Sequence, residues 1–280
     1  MSTPAADQFG RPPAPDPEPL PASAFDSHCH LELIPGPVDR VLAQAAAANI
    51  TRLVTVGTDL PSAYSAVTTA ADHDQVYAAV AIHPNETQSA AQTVKQKQAV
   101  LAEIASLAAA PQVRAVGETG LDYYWEDAPH DLQQDWFRAH IAIAKQVGKP
   151  LMIHDRDAHE AILRILAEEG PPERVIFHCF SGDVAMAKQC AEAGYVMSFA
   201  GNVTFANAQP LRDAAAAAPA DLILAETDAP FLTPVPNRGK PNEPALTADT
   251  LRCLADVKGL DLAGLCDTVT ATAQRTFGPW

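Results

Sequence analysis

The chain has 280 residues, 48% of them hydrophobic, which is enough for one large domain with a sizeable core. Acidic residues outnumber basic ones by 34 to 19, and the net charge of -15 argues against a broad phosphate-binding surface, because nucleic-acid binders usually carry a basic footprint. Five cysteines without a C-x-x-C pair do not form a disulfide framework, so a reducing, cytoplasmic environment is expected. No apolar run approaches the roughly 20 residues that span a membrane, so no membrane association is predicted.

The first 24 residues are rich in proline: MSTPAADQFGRPPAPDPEPLPASA. They lack the basic start and the apolar run of a secretory signal. Prolines and polar residues predict a disordered or extended tail for residues 1–24. Residues 25–280 are therefore predicted to form the single folded domain.

Eight short apolar runs follow, separated by segments of helical length. In chain order the runs are AFDSHCH, TRLVTVG, QVYAAVAIH, QVRAVGE, KPLMIHD, ERVIFHCF, GYVMSFAG and DLILAETD. They lack strict polar alternation, which is typical of parallel strands covered on both faces. The segments between and after them predict helices at Val38–Ala48, Ala63–His73, Thr93–Ala109, Pro129–Gly148, Ala158–Glu168, Val184–Ala193, Gln209–Ala218, Thr247–Gly259 and Asp261–Phe277.

Eight strand–helix units predict an α/β protein with the architecture of a (β/α)8 TIM barrel. The structural alternative is a doubly wound open sheet. That alternative is disfavoured because no G-x-G-x-x-G motif follows the first strand.

Ionisable side chains recur at the carboxyl ends of the predicted strands. They are His28 and His30 on the first, His83 on the third, Glu118 on the fourth, His154 on the fifth, His178 on the sixth and Asp228 after the eighth. Taken singly each has an ordinary explanation, such as a turn cap, but in a barrel these ends meet at one mouth. Burying so many ionisable groups is costly without a cation, and these residue types bind divalent metals. Their shared position predicts a metal site.

Two cysteines adjoin predicted ligands. Cys29 lies between His28 and His30, and Cys179 follows His178. Since successive side chains of a strand point to opposite faces, both cysteines are predicted to face away from the site and to serve packing.

The motifs resemble those of a known family. DSHCHLE, AIHPNET, VGETGLDYY, LMIHDRDA, VIFHCFSG, ETDAPFLTP and RGKPNEP occur in the order seen in TatD-type metal-dependent deoxyribonucleases, which belong to the amidohydrolase-like barrel superfamily. The similarity runs from about Phe25 to the end of the chain. It implies two divalent ions per chain (Mg²⁺, Mn²⁺ or Zn²⁺), one held by His28, His30 and Asp228, the second by His154 and His178, with Glu118 bridging them.

The resemblance also implies substrate contacts. His83 and Arg156 have counterparts near the substrate phosphate, and Arg238 and Lys240 make the RGKPNEP loop locally basic. Family members commonly carry a basic residue after RGK, whereas Pro241 stands here, which removes a possible phosphate contact.

The function that follows is metal-dependent hydrolysis of DNA phosphodiester bonds by an exonuclease acting on single-stranded or end-bound DNA. Asp228 is the expected general base, and Glu118 is expected to fix the spacing of the ions. The alternatives are a D-aminoacyl-tRNA deacylase, another amidohydrolase-type ester or amide hydrolase on the same site, or a non-catalytic scaffold with structural metal. The sequence does not separate the hydrolases, because substrate choice depends on loop shape.

Overall fold

The computed structural model describes residues 13–279 and contains eight parallel strands in the order β1 to β8. Their bounds are β1 (Ala24–Cys29), β2 (Ile50–Gly57), β3 (Val76–Val80), β4 (Val113–Asp122), β5 (Leu151–Arg156), β6 (Val175–Phe177), β7 (Val196–Phe199) and β8 (Ile223–Ala225). Helices connect the strands, so the predicted (β/α)8 barrel in a single domain is confirmed.

The helices match the predicted segments closely. They are α1 (Val38–Ala47), α2 (Leu60–Asp72), α3 (Thr87–Ala90), α4 (Val94–Ala108), α5 (His130–Val147), α6 (His159–Glu169), α7 (Val184–Glu192), α8 (Gln209–Ala217), α9 (Thr247–Lys258) and α10 (Leu262–Phe277). The short α3 was not predicted. Between residues 13 and 279, no helix combines the length and apolar composition needed to cross a bilayer.

The start of α2 differs most from its prediction, by three residues. Asp59 accepts a hydrogen bond from the Ser62 amide at 2.8 Å, and the Ser62 hydroxyl accepts one from the Asp59 amide at 3.0 Å. This reciprocal cap satisfies amides of the first turn, so the helix begins before Ala63.

A seam between β1 and the segment after β8 closes the barrel. The amide of His30 donates to the Ala229 carbonyl at 2.8 Å, and the amide of Asp228 donates to the His28 carbonyl at 2.9 Å. These parallel-sheet bonds draw the end of the last strand alongside the two histidines of the first.

A buried carboxylate strengthens the same seam. Asp26 on β1 accepts hydrogen bonds from the Thr227 amide at 3.0 Å and the Thr227 hydroxyl at 2.6 Å. Burial raises the pKa of Asp26 to about 7, although the hydrogen bonds from Thr227 oppose the rise. Helix α10 covers the seam from outside, where Phe277 stacks on Phe25 with ring centroids 5.4 Å apart.

The described part of the predicted tail lies against the barrel. Residues 13–23 form no helix or strand, yet Leu20 is buried and its amide donates to the Ala48 carbonyl at 3.1 Å. The side chain of Arg252 on α9 bonds the Pro19 carbonyl at 3.4 Å. Residues 1–12 of that tail lie outside the described residues, and the domain boundary at residue 24 stays a prediction.

Replacing Leu20 by alanine tests whether this segment contributes to the folded unit. We expect Leu20→Ala to lower the free energy of unfolding by about 2 kcal/mol, because a buried side chain leaves a cavity. Urea denaturation measures the change. Val94→Ala is the control, since that side chain is 74% exposed and should change stability by less than about 0.5 kcal/mol. Equal stability of the two variants would show that the segment around Leu20 adds nothing to the stability of the folded domain.

Candidate metal centre

All six predicted ligands meet at the carboxyl end of the barrel. His28 lies in β1, Glu118 in β4 and His154 in β5, whereas His30, His178 and Asp228 lie just after β1, β6 and β8. The barrel brings these strand ends to one rim, so the six residues lie together there.

Four donor atoms form the first group. The Nε2 atoms of His28 and His30 are 3.3 Å apart. Glu118 Oε1 lies 3.6 and 3.4 Å from these nitrogens, and Asp228 Oδ1 lies 3.7 and 3.5 Å from them. Ligands of one tetrahedral ion lie ~3.3–3.6 Å apart when each metal bond is ~2.0–2.2 Å long. Donor atoms of His28, His30 and Asp228 all lie within 4.8 Å of one another, so these three residues fit a single divalent cation.

The other oxygen of Glu118 belongs to a second group. Oε2 lies 2.8 Å from His178 Nε2 and 3.2 Å from His154 Nδ1, and these two nitrogens are 3.4 Å apart. One carboxylate thus faces two sets of donors, which is the arrangement required of a bridging ligand.

Electrostatics favour positive charge at the centre of this cluster. Burial acts to raise the pKa of Glu118, but the positive charge of His178 and His28 holds it well below its usual range. Burial acts to lower the pKa of His30, but its hydrogen bond to Asp228 and the charge of Glu118 raise it to about 9. A divalent ion would supply the positive charge in place of these protons, with the histidines neutral as metal ligands must be.

Glycines on both sides of Glu118 allow its strand to approach β5. A Cβ at Gly117 would come within 2.5 Å of Met152 Cβ, and one at Gly120 within 2.1 Å of the His154 carbonyl oxygen. Gly120 also has a φ of +141°, which side chains other than glycine rarely adopt. The GETG segment therefore sets Glu118 directly beside His154.

Two further carboxylates, which the sequence analysis missed, orient histidines of the second group. Asp122 Oδ2 lies 3.1 Å from His154 Nε2, and Glu226 Oε1 lies 3.2 Å from His178 Nδ1. Strand alternation gives a signal for Asp122, which lies four residues after Glu118 within β4, whereas Glu226 follows the end of β8 at Ala225 and has no such signal. A carboxylate on the remote nitrogen of an imidazole fixes its orientation and raises its basicity as a ligand.

The histidines of the first group have neutral partners instead. His30 Nδ1 donates to the Val56 carbonyl at 2.9 Å, and His28 Nδ1 lies 3.2 Å from Met152 Sδ. The histidines of the second group thus contact carboxylates through their remote nitrogens, whereas those of the first group contact uncharged atoms.

His83 adjoins the cluster and carries its proton on Nε2, the nitrogen that faces Glu118. Its Nδ1 accepts a hydrogen bond from the Asn85 amide at 3.1 Å, so Nε2 carries the proton, 3.9 Å from Glu118 Oε2. Burial and the neighbouring His154 lower the pKa of His83 to about 3. His83 is therefore a neutral donor facing the site.

The site opens into a cavity of about 680 Å³. Of the arginines and lysines between residues 13 and 279, Arg156 alone lines it. Arg238 packs over the Phe205 ring at 4.3 Å, and the Lys240 ammonium lies 3.3 Å from Asn237 Oδ1, so the structure does not bring these two predicted contacts into the cavity.

The two cysteines next to predicted ligands differ in position. Cys29 is buried with its Sγ 3.4 Å from the Val54 carbonyl, as strand alternation predicts. The prediction for Cys179 is wrong, since this residue lines the cavity. β6 ends at Phe177 and Cys179 has a φ of +42°, so strand alternation does not reach it.

Replacing Glu226 by glutamine tests the carboxylate behind His178. Glu226 Oε1 also accepts from the Cys179 amide at 2.8 Å, and its Oε2 is buried with no hydrogen-bond partner in the described part of the chain. We expect Glu226→Gln to weaken Mn²⁺ or Zn²⁺ binding about 10- to 100-fold, because a neutral amide polarises the imidazole less.

Competition with a chelating dye would measure the affinity, and circular dichroism would verify folding. Glu192→Gln, the same change at an exposed position on α7, is the control and should bind metal normally. An unchanged affinity in Glu226→Gln would contradict the assignment.

Known proteins resemble this chain over nearly its whole length. The family model described as TatD related DNase matches residues 25–278. An uncharacterized metal-dependent hydrolase, TatD of Mycobacterium tuberculosis, is 44% identical over 264 residues, covering 90% of this chain and 97% of that protein. The uncharacterized metal-dependent hydrolase YabD of Bacillus subtilis is 38% identical over 257 residues, with 90% and 98% covered.

The fold has a close counterpart among solved structures. The crystal structure of YJJV, a TatD homologue from Escherichia coli, superposes with a TM-score of 0.83 at 26% identity, covering 91% of this chain and 97% of that one. Because the family model and both hydrolases match across the barrel, the chain belongs to the TatD-related DNase family of metal-dependent hydrolases.

Proposed function

We propose that this chain is a deoxyribonuclease that hydrolyses phosphodiester bonds at the ends of DNA strands. The observation that carries the proposal is the Glu118 carboxylate, which presents one oxygen to each of two donor groups beneath a cavity lined by Arg156. Hydrolysis at a phosphodiester requires charge stabilisation at several oxygens, which two adjacent cation sites and an arginine can supply.

Each of the two donor groups would hold one ion. His28, His30 and Asp228 would bind one ion, His154 and His178 the second, and Glu118 both. Ions bound there would acidify a water and stabilise charge on the phosphoryl oxygens. Four histidines suit Zn²⁺ or Mn²⁺ better than Mg²⁺, which prefers oxygen ligands.

Asp228 is the proposed general base. Its side chain is 16% exposed against 4% for Glu118, so it is the more accessible of the two to water from the cavity. Burial acts to raise the pKa of Asp228, but the hydrogen bond from His30 and the nearby histidine charges lower it overall. The carboxylate is therefore ionised at neutral pH and can accept a proton.

Arg156 and His83 are the proposed phosphate contacts. The exposed guanidinium of Arg156 can make a bidentate contact to two phosphate oxygens. His83 can donate from Nε2 to a third. Both side chains line the cavity, on the same side as His154.

The scarcity of basic groups supports binding at strand ends. One arginine in the cavity and a net charge of -15 provide no track for a long phosphate backbone. A substrate held at one or two phosphates is consistent with a strand terminus entering the mouth, as in an exonuclease.

Replacing Asp228 by asparagine tests the general base. We expect Asp228→Asn to lower kcat on single-stranded DNA with Mg²⁺ or Mn²⁺ by about 100-fold or more, because a neutral amide cannot accept the proton. Asp157→Asn, the same change at an exposed position outside the cavity lining, should retain normal activity. Metal content must be measured for each variant. Undiminished hydrolysis by metal-loaded Asp228→Asn would exclude this role.

A direct comparison of substrates separates the proposal from its rivals. The same preparation is assayed on single-stranded DNA, on D-aminoacyl-tRNA and on simple amide and ester substrates, with and without EDTA. We expect EDTA-sensitive release of nucleotides from DNA to be the fastest reaction. Faster EDTA-sensitive deacylation of the tRNA would favour the deacylase, since a metal ion polarises a carbonyl as readily as a phosphoryl oxygen.

A further inference from the structure

Three aromatic side chains remain exposed around the mouth of the barrel. Tyr124 is 54% exposed, Trp125 48% and Phe231 53%. Large apolar side chains gathered at one rim commonly mark a binding surface, whereas scattered ones need no explanation. Trp125 and Phe231 also line the cavity that holds the metal centre.

The side chains of Trp125 and Phe231 lie on opposite sides of the mouth. Trp125 follows β4 and Phe231 follows β8. In a ring of eight strands closed between β8 and β1, strands β4 and β8 face each other across the barrel. The Phe231 ring is 6.2 Å from that of His30, so it adjoins the first donor group.

Hydrogen bonds to the metal centre hold both segments. The amides of Tyr124 and Trp125 donate to Asp122 Oδ1 at 3.0 and 3.2 Å, and the other oxygen of this carboxylate contacts His154. On the opposite side, the amide of Phe231 donates to the Asp228 carbonyl at 2.8 Å. The aromatic side chains are thus anchored relative to the reacting centre.

The charges nearby indicate what these rings can bind. Glu126 and Asp127 follow Trp125 and are exposed, so phosphates beyond the one at Arg156 would be repelled at this side. A flat, uncharged ring, such as that of a nucleobase, would not be repelled by these carboxylates. Arg156 lines the cavity and packs against this side of the rim, its guanidinium 4.0 Å from the Tyr124 ring centroid and 5.6 Å from that of Trp125.

We propose that Trp125 and Phe231 stack on unpaired nucleobases on the two sides of the scissile phosphate, while Arg156 contacts the phosphate itself. This inference rests on the proposed nuclease function and assigns base recognition at that site to two aromatic side chains. Stacking on protein aromatic groups requires a base whose face is free, so a duplex must open first. Stacking also supplies affinity that an acidic protein cannot obtain from phosphate contacts.

The test measures KM and kcat of aromatic variants on a single-stranded oligonucleotide. Trp125→Ala and Phe231→Ala should each raise KM about 5- to 150-fold, the loss expected for one stacked base, with kcat little changed. Trp125→Phe should restore most of the loss, because it keeps an aromatic face. Tyr64→Ala, at an exposed aromatic residue on α2, is the matched control and should behave as wild type.

Modified substrates distinguish stacking from a structural effect. For the wild type, KM should be higher by at least that factor on an oligonucleotide with abasic residues on both sides of the cleaved bond, because both stacked bases are then missing. Trp125→Ala should then show no further loss on the abasic strand, since the two changes remove the same contact. A blunt duplex should be a poorer substrate than the single strand.

The outcomes separate this inference from the proposed function. Normal KM in both alanine variants, additive losses on the abasic strand, or equal cleavage of duplex and single strand would overturn the stacking while leaving the nuclease function intact. A wild-type protein that is loaded with metal yet cleaves no DNA would overturn both.

Discussion

Two backbone hydrogen bonds join the first strand to the segment after the last one, and the metal centre depends on them. They set His28 and His30 beside Asp228, which is far from both histidines in the sequence. A parallel pair displaced by one residue would turn the histidines to the other face, so the register of this seam is decisive. Asp26 and Thr227 fix that register from within the barrel.

Glu118 connects this seam with the far side of the barrel. Its two oxygens face different donor groups. The groups differ in the charge of the atoms that contact the remote nitrogens of their histidines. Carboxylates orient His154 and His178, whereas a carbonyl and a thioether contact His30 and His28. Since remote carboxylates raise the basicity of imidazole ligands, the second group is the more electron-rich of the two.

The rim of the barrel carries features that suit an acidic protein to the proposed nucleic-acid substrate. A positively charged surface would attract any nucleic acid strongly and without discrimination. Here one arginine lies in the cavity and aromatic groups stand on both sides of it. Asp122 links these features, because one oxygen of its carboxylate holds the Trp125 backbone and the other contacts His154. The proposed base contacts and the metal centre therefore share a support.

The sequence by itself determined the barrel, most of its helices and the clustering of six ionisable residues at one rim, because apolar periodicity is local and parallel strands always present their carboxyl ends together. Tertiary structure decided what depends on contacts between distant segments. Only the packed barrel shows that Leu20 is buried, that Asp122 and Glu226 support histidines, and that Arg238 and Lys240 lie outside the cavity. Cys179 departed from its predicted face because its strand ends earlier, and a strand's length is set by its neighbours rather than by its own residues.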